Sequence, residues 1–427
     1  MSRRTVTAGA LLATLGLLGT AHAQAPEPEE RGVEQLTFDE AVQRAMSENP
    51  SVGEAAQAIL RAQALLDDAS SVFLPVAYGN VGTTVLDEAR GFDQNIVQPR
   101  TQTAFSLTVS YALFDTVRWA RRHSAEDDVV TARAAAREVR QRVAVMAAQA
   151  YLAVIGAERQ LEITTRNRET AQALEDYARA RLDVGQGSRL NHVRAVQQRA
   201  SADSLVQVAE LAVRRAQEAL GVAVFAPGPV GVRGEPDLPA ALLPEDDTWL
   251  EARPDIQRSS AELFARQRVA DDAWKTWLPT ATASFTPRYV TPAGLFEPSK
   301  TWRALFQLEI PIFDSTLSAG KAVKIADREA ARLRLTGLRS EARSELRNVQ
   351  EAVRRTEAVV VSTREAAEAA GQALQITEVA YRAGARTNIE VVQAQQAARN
   401  AEIEAAVADN RLRQARLDLL VALGQFP

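Results

Sequence analysis

The sequence predicts a mostly α-helical chain with a smaller β part, built as two copies of one plan: a long helical hairpin that carries a pair of strands. Three observations predict it. Four short blocks recur in the same order at fixed spacing. Each copy holds a long proline-free stretch, from Phe114 to Gly185 and from Phe313 to Gly384. Each copy also places a run of two-residue alternation just ahead of that stretch. No compact globule requires the last two together.

The duplication comes first, because repeats set the fold. Asn49-Pro50-Ser51-Val52 matches Arg253-Pro254-Asp255-Ile256, and the step from Pro50 to Pro254 is an offset of 204 in the numbering. The same offset carries Asp67-Asp68-Ala69 onto Asp271-Asp272-Ala273 and Leu74-Pro75 onto Leu278-Pro279. Leu113-Phe114-Asp115 matches Ile312-Phe313-Asp314 at an offset of 199, which also carries Gly185 onto Gly384. The difference between the two offsets falls between the Leu-Pro and Phe-Asp pairs, where loops belong. The copies span residues 36–221 and 251–427.

Each copy opens with a helix that stops at its Leu-Pro pair, since proline pushes the preceding residue out of the helical region. Thr37-Phe38-Asp39-Glu40 has the spacing of a capping box for the first of these helices. β-Hairpins follow at about 75–113 and 279–312. In the first, Phe105, Leu107, Val109, Tyr111 and Leu113 alternate with Ala104, Ser106, Thr108, Ser110 and Ala112. In the second, Trp302, Ala304, Phe306, Leu308, Ile310 and Ile312 share one face, with Arg303, Gln307 and Glu309 on the other. Period two with one apolar and one wet face is a strand pattern, and about ten residues suffice to cross a bilayer. The same pattern would suit a surface hairpin packed on helices. The partner strands are Val76 to Leu86 and Thr280 to Val290, and Asp87 to Arg100 and Thr291 to Lys300 read as loops.

The helical hairpins cover 115–221 and 314–424. Asp115-Thr116 and Asp314-Ser315 suit helix entry, because their side chains accept from unpaired N–H groups. From Phe114 to Gly185 only Gly156 interrupts the pattern, which allows roughly 100 Å of helix at about 1.5 Å per residue; two helices with a break between them would also fit. Val143, Ala147, Ala150, Val154, Ala157 and Leu161 follow four-three spacing, and their mates are Ala342, Leu346, Val349, Val353, Thr356 and Val360. This is a coiled-coil seam of small and β-branched residues. The chain turns near Gly185 and Gly384, with Ser188 and Thr387 placed to start the returning helices. Residues 222–250, rich in proline, form a linker or a small equatorial element. Residues 24–35 are acidic and read as disordered.

Residues 1–23 read as a secretory signal: Arg3 and Arg4, an apolar run from Ala8 to Leu18, and Ala21-His22-Ala23. The formal charge is −4, and loss of Arg3 and Arg4 with that segment leaves −6, which argues against a nucleic-acid partner. There is no cysteine, so disulfides, acyl anchoring through a thiol, zinc–thiolate sites and thiol catalysis are excluded. His22, His123 and His192 are the only histidines. No nucleophile, metal or phosphate motif stands out, so the chain reads as neither an enzyme nor a cofactor binder.

Two hairpins supply four strands, and lipid tolerates no open sheet edge. The smallest usual barrels need about eight strands, so several chains must share one barrel and the long helices continue from it as a hollow sheath. In this respect the sequence resembles the TolC-type outer-membrane factors, the exit ducts of tripartite efflux pumps and type I secretion systems. The resemblance rests on Leu36 to Ala41 with Asn49-Pro50, on Arg253-Pro254-Asp255-Ile256, on both Leu-Pro stops, on Leu113-Phe114-Asp115 and Pro311-Ile312-Phe313-Asp314, and on the tip from Tyr381 to Glu390.

The resemblance implies a homotrimer, a shared β-barrel of about twelve transmembrane strands in outer-membrane lipid, and a periplasmic helical tunnel. It also implies docking to a periplasmic adaptor coupled to an inner-membrane pump. Tyr381 and Arg386 fall at the family's gate positions, and their usual partners fall at Leu190 and Asn191; Leu190 has no side-chain acceptor and Asn191 no charge, so any lock there is weaker or made by other groups. Glu390 falls at an acidic selectivity ring, with Gln393 where a second acid would stand. Val184, Gly185, Ser188, Gly384 and Thr387 form the expected adaptor-docking tip. The function implied is a passive exit duct for small molecules; a polypeptide-secretion duct and an exported structural coiled coil are the alternatives.

Overall fold

The computed structural model describes residues 33–92, 95–238 and 246–427. The expected signal segment 1–23 lies outside the described residues, as do residues 24–32 and 239–245. In chain order the elements are β1 (Glu34–Leu36), α1 (Phe38–Glu48), α2 (Pro50–Ser71), β2 (Val76–Val85), β3 (Arg90–Phe92), β4 (Asn95–Gln98), β5 (Thr101–Phe114), α3 (Thr116–Asp183) and α4 (Arg189–Ala223). After these come β6 (Val230–Val232), α5 (Trp249–Ala252), α6 (Pro254–Asp271), a 3-10 turn (Asp272–Trp277), β7 (Thr280–Thr291), β8 (Lys300–Glu309), α7 (Ser315–Arg382) and α8 (Asn388–Ala422).

The repeat is visible at single-residue precision. Both long helices have 68 residues and both returning helices 35. Their boundaries in the two hairpins, Thr116 and Ser315 at the first and Ala223 and Ala422 at the last, keep one constant offset throughout. The strand pairs repeat as well: β2 pairs with β5 from Val76↔Ser110 to Val85↔Thr101, and β7 with β8 from Thr280↔Glu309 to Tyr289↔Lys300.

Local chemistry explains the breaks. Thr37 and Glu40 form a reciprocal capping box, with Thr37 N–H donating to the Glu40 carboxylate at 2.8 Å and Glu40 N–H to Thr37 Oγ1 at 3.4 Å. The expected first helix is divided at Asn49, because Pro50 is pre-shaped for a first helical position and Asn49 Oδ1 accepts from Ser51 N–H at 3.0 Å. Pro254 repeats this at the start of α6. Asp115 accepts from Val117 and Arg118 N–H, and Asp314 from Thr316 N–H. α3 runs unbroken through Gly156, where a Cβ would lie 2.8 Å from the Asn410 side chain of α8. The glycine is there for close helix approach, not for a break.

Side by side, α3 lies between α2 and α6 in the half next to the sheet and between α4 and α8 in the other half. α7 packs on α6 and α8. All twelve seam residues are buried or half-buried. The main core gathers where α1, α3, α4 and β6 meet the end of α8; Tyr151, Leu152, Leu220 and Leu417 there are 0% exposed, each such burial being worth about 1.5–3 kcal/mol. No helix among the described residues is long and apolar enough to cross a membrane.

Three expectations need correction. The segment expected to be disordered ends in β1, which pairs in parallel with β6, and the chain just after β6 is tied to α3 by Tyr151 Oη donating to the carbonyls of Arg233 and Gly234 at 3.1 and 2.9 Å. The loop 87–100 contains its own small hairpin, β3–β4. β8 stops at Glu309 rather than reaching Ile312, because Pro311 has no N–H and the chain offers that edge no neighbour.

Candidate functional site

Two regions can carry function: the sheet at one end of the long helices and the helical turns at the other. The sheet is antiparallel in the order β2-β5-β7-β8. Opposed residues share a face, so Ser106, Thr108 and Ser110 stand beside Ser284, Thr286 and Arg288 on the wet face, with Thr108 and Thr286 hydroxyls 3.2 Å apart. The other face carries Phe105, Leu107, Val109 and Tyr111 with Phe285, Tyr289, Trp302, Phe306 and Leu308. All but the half-buried Val109 are exposed within one chain, Phe306 at 76% and Trp302 at 71%. A contiguous aromatic and aliphatic face of this kind is a surface for lipid or a partner. Among the described residues both sheet edges, β2 and β8, are open.

The turns are built alike. At the first, Gly185 N–H donates to Leu182 O and Gln186 N–H to Arg181 O; at the second, Gly384 N–H donates to Tyr381 O and Ala385 N–H to Ala380 O. These are paired Schellman closures. They place Gly185 at φ +74° and Gly384 at φ +79°, a left-handed conformation that glycine adopts without strain. Ser188 Oγ then accepts Leu190 N–H at 3.2 Å. Val184, Gly185, Ser188, Gly384 and Thr387 are all exposed.

The expected gate residues are divided between two settings. Tyr381 is buried against Leu174, Tyr177 and Val391, with the two tyrosine rings edge to face at 5.7 Å between centroids. Behind them Gln198 Nε2 donates to Gln395 Oε1 at 3.3 Å. Arg386 instead stays within its own turn: its Nη1 donates to Glu390 Oε1 at 2.8 Å, while Thr387 N–H and Oγ1 donate to Glu390 Oε2 at 2.7 and 2.9 Å. Backbone and side-chain bonds from Thr387 and Arg386 hold the Glu390 carboxyl well below its usual range, at about 2. Leu190 is 55% exposed and Asn191 half-buried, and neither is hydrogen-bonded through its side chain to Tyr381 or Arg386. Gln393 is exposed one turn beyond Glu390. The structure therefore brings Tyr381 to Tyr177, a residue sequence reasoning missed; the available signal was an aromatic on each of two facing helices in a chain with 5% aromatics. Between α3 and α7 at this level lies a groove of about 700 Å³, edged by Arg166, Glu169, Glu378 and Arg382.

The family model described as "Outer membrane efflux protein" matches residues 41–224 and 247–425. The chain belongs to the outer membrane efflux protein family. This is a family of outer-membrane channels rather than of enzymes. No match was found among curated proteins. Among solved structures, the chain is similar to the CmeC outer membrane channel of Campylobacter jejuni at 17% identity, over 91% of this chain and 86% of that one, with a TM-score of 0.76. It is similar to the outer membrane protein VceC of Vibrio cholerae at 18% identity, over 91% and 96%, TM-score 0.75. The open state of the MtrE outer membrane channel of Neisseria gonorrhoeae matches at 20% identity, over 91% and 88%, TM-score 0.76. These likenesses show that this outer membrane efflux protein shares their fold.

Proposed function

We propose that three copies of this chain form one passive exit duct of a tripartite efflux pump, with a shared twelve-stranded barrel in the outer membrane and the long helices as a tunnel in the periplasm. The observation that carries this is the sheet: four strands, an apolar outer face, a hydroxyl-lined inner face and two unpaired edges. Four strands cannot close, and open edges do not survive in lipid. A head-to-tail contact that closes by rotation removes both edges at once. The exposed turns at 184–188 and 384–387 dock a periplasmic adaptor coupled to an inner-membrane pump.

In this reading the resting tip is held shut by an apolar clasp. Tyr381 against Tyr177, Leu174 and Val391 takes the place of polar links to Leu190 and Asn191, and Glu390, with Gln393 beyond it, rings the entrance. The test is the native mass of the protein extracted from an outer-membrane fraction. Three chains that stay together in mild detergent are expected; a single chain released without detergent would remove the duct.

A further inference from the structure

Within one chain the four-stranded sheet is open to solvent almost throughout. Among the described residues of its strands only Gln102 and Val290 are buried, at 8% and 0% exposure. Both lie at the end remote from the long helices, and both lie on one face. Gln102 shares the face of Ser106, Thr108 and Ser110 by two-residue alternation along β5. Val290 stands opposite Ala104, two residues beyond the Arg288 that stands opposite Ser106. That face is the wet one, the lining of the duct in the trimeric reading on which this inference rests. The lining is therefore covered at its outer end, and the cover belongs to the same chain.

The cover is the segment 291–299 between β7 and β8, closed at its base by Val290 N–H donating to Ser299 O at 2.8 Å. From it Glu297 reaches back onto the wet face. Its Oε2 accepts from Gln102 Nε2 at 3.0 Å, and its Oε1 pairs with Arg288 Nη1 at 2.6 Å. Both carboxylate oxygens are thus held by the wall, one of them by a charge-assisted bond. Gln102 Nε2 also donates to Pro292 O at 3.4 Å. The first loop holds the segment as well: Leu295 N–H donates to Ile96 O at 3.1 Å. A Cβ on Gly294 would overlap the Val97 carbonyl, so the close approach there needs glycine. The duplication supplies an internal baseline. At the offsets of 204 and 199, Arg288 corresponds to Thr84 and Gln102 to Thr301, both exposed. Threonine has neither the reach nor the charge to hold a loop carboxylate in this way, so the clamp is particular to the second loop.

We propose that residues 291–299 form an inward-folded constriction at the outer mouth of the duct, fixed to the wall by the Glu297 carboxylate between Gln102 and Arg288, and that this clamp limits the size of what passes. The dimensions agree. Twelve strands about 4.8 Å apart and tilted by about 40° close with a backbone radius of about 12 Å. A layer of chain packed on a sheet face stands about 10 Å from it. One such layer from each of three copies occupies most of the opening. With the clamp broken, the segment is tied to the wet face of the wall only through its ends, and the mouth widens.

The absence of cysteine makes the lining addressable by thiol reagents, and labelling from outside the cell does not require the helical tip to open. Asn80→Cys places one thiol on the wet face, opposite Ser106 and deeper than Gln102. Intact cells are treated with a small methanethiosulfonate and, separately, with a bulky polyethylene-glycol maleimide. Gln186→Cys, at the far turn, stays unlabelled by the bulky reagent while membranes are intact. The small reagent should label Asn80→Cys in every background. The bulky one should label it at least tenfold faster once Glu297→Ala is added. The exchanged pair Arg288→Glu with Glu297→Arg should return the rate towards that of the clamped protein, because it restores the ion pair with both charges reversed. Equal rates for the bulky reagent with and without the clamp, or no labelling by the small one, in a protein that has the native mass of three chains would overturn the constriction. A native mass of one chain would instead remove the duct on which it rests.

Discussion

The two long helices have the same length and equivalent boundaries, yet α3 buries 17 residues and α7 only five. Position in the row explains the difference. α3 is covered on both sides, by α2 and α4 and by α6 and α8, whereas among the described residues α7 packs mainly on α6 and α8. The residues record it. Tyr151, Leu152 and Ile155 of α3 are buried in the cluster that includes Val230 of β6, and their mates at the same offset are Gln350, Glu351 and Arg354. α7 instead exposes apolar side chains such as Leu333, Val361 and Ile376, at 63%, 69% and 70%. One copy thus supplies the core of the chain, and the other leaves an apolar face uncovered. In the trimer proposed above, that face is where a neighbouring copy would lie, and the least buried helix would be completed by assembly.

The largest effect should come from truncating the covered helix. Leu152→Ala removes a side chain that is 0% exposed, and such a deletion in a packed core costs about 2–5 kcal/mol. Glu351→Ala, at the mate position, breaks only exposed contacts to Arg354 and Arg355, a change of about 0.5 kcal/mol or less. Urea unfolding in detergent, followed by circular dichroism, should show a clear drop in midpoint for the first and little movement for the second. Equal drops would mean that the two helices are equally buried in the working protein, and the comparison would collapse.

Much of this contrast was legible before any coordinates. The two repeat offsets set helix lengths and turn positions, because each marker was a residue with one backbone consequence: Pro50 and Pro254 at first helical positions, Gly185 and Gly384 at positive φ, Asp115 and Asp314 as caps. What stayed hidden was contact between distant segments. The β1–β6 pairing joins two very short strands that flank the whole first copy, Glu34–Leu36 and Val230–Val232, and neither is long enough to show periodicity. Tyr381 finds Tyr177 from another hairpin, and nothing local to either residue names the other. Arg386 turns to Glu390, one helical turn away in its own hairpin, a pair the spacing allowed but the expected gate did not use.

A smaller effect should come from the tips, where the two copies agree. Gly384 sits at φ +79° with open space around the missing Cβ, so Gly384→Val meets backbone strain and no clash. The cost should be about 1–3 kcal/mol, confined to the turn. Efflux in cells should fall to background while the amount of assembled trimer stays at wild-type level. Retained efflux would count against docking at this end, and loss of trimers would show that the turn is needed for assembly as well.

The smallest effect concerns charge at the proposed entrance, where the second copy differs from the first. Glu390 is matched by Asn191 in the first copy, so each chain brings one such carboxylate, and that one is already tied to Arg386 at 2.8 Å. Two substitutions therefore move the same quantity in opposite directions. Glu390→Gln should lower the cation preference of the channel in a salt gradient across a planar bilayer, and Arg386→Gln should raise it by unmasking the acid. An unchanged reversal potential in both would take Glu390 out of the conduction path. The pH dependence follows from the depressed pKa. An acid whose folded pKa is about 2 against an ordinary value of 4.5 keeps its charge, and the stabilising bonds made to that charge, throughout the range above 4.5. Both are lost only as the pH falls through about 2. The Glu390-dependent part of the cation preference should thus persist through the ordinary carboxylate range and disappear only near the lower value. If it fades around 4.5 instead, the bonds from Thr387 and Arg386 do not hold in the open channel, and the turn must rearrange when the duct conducts.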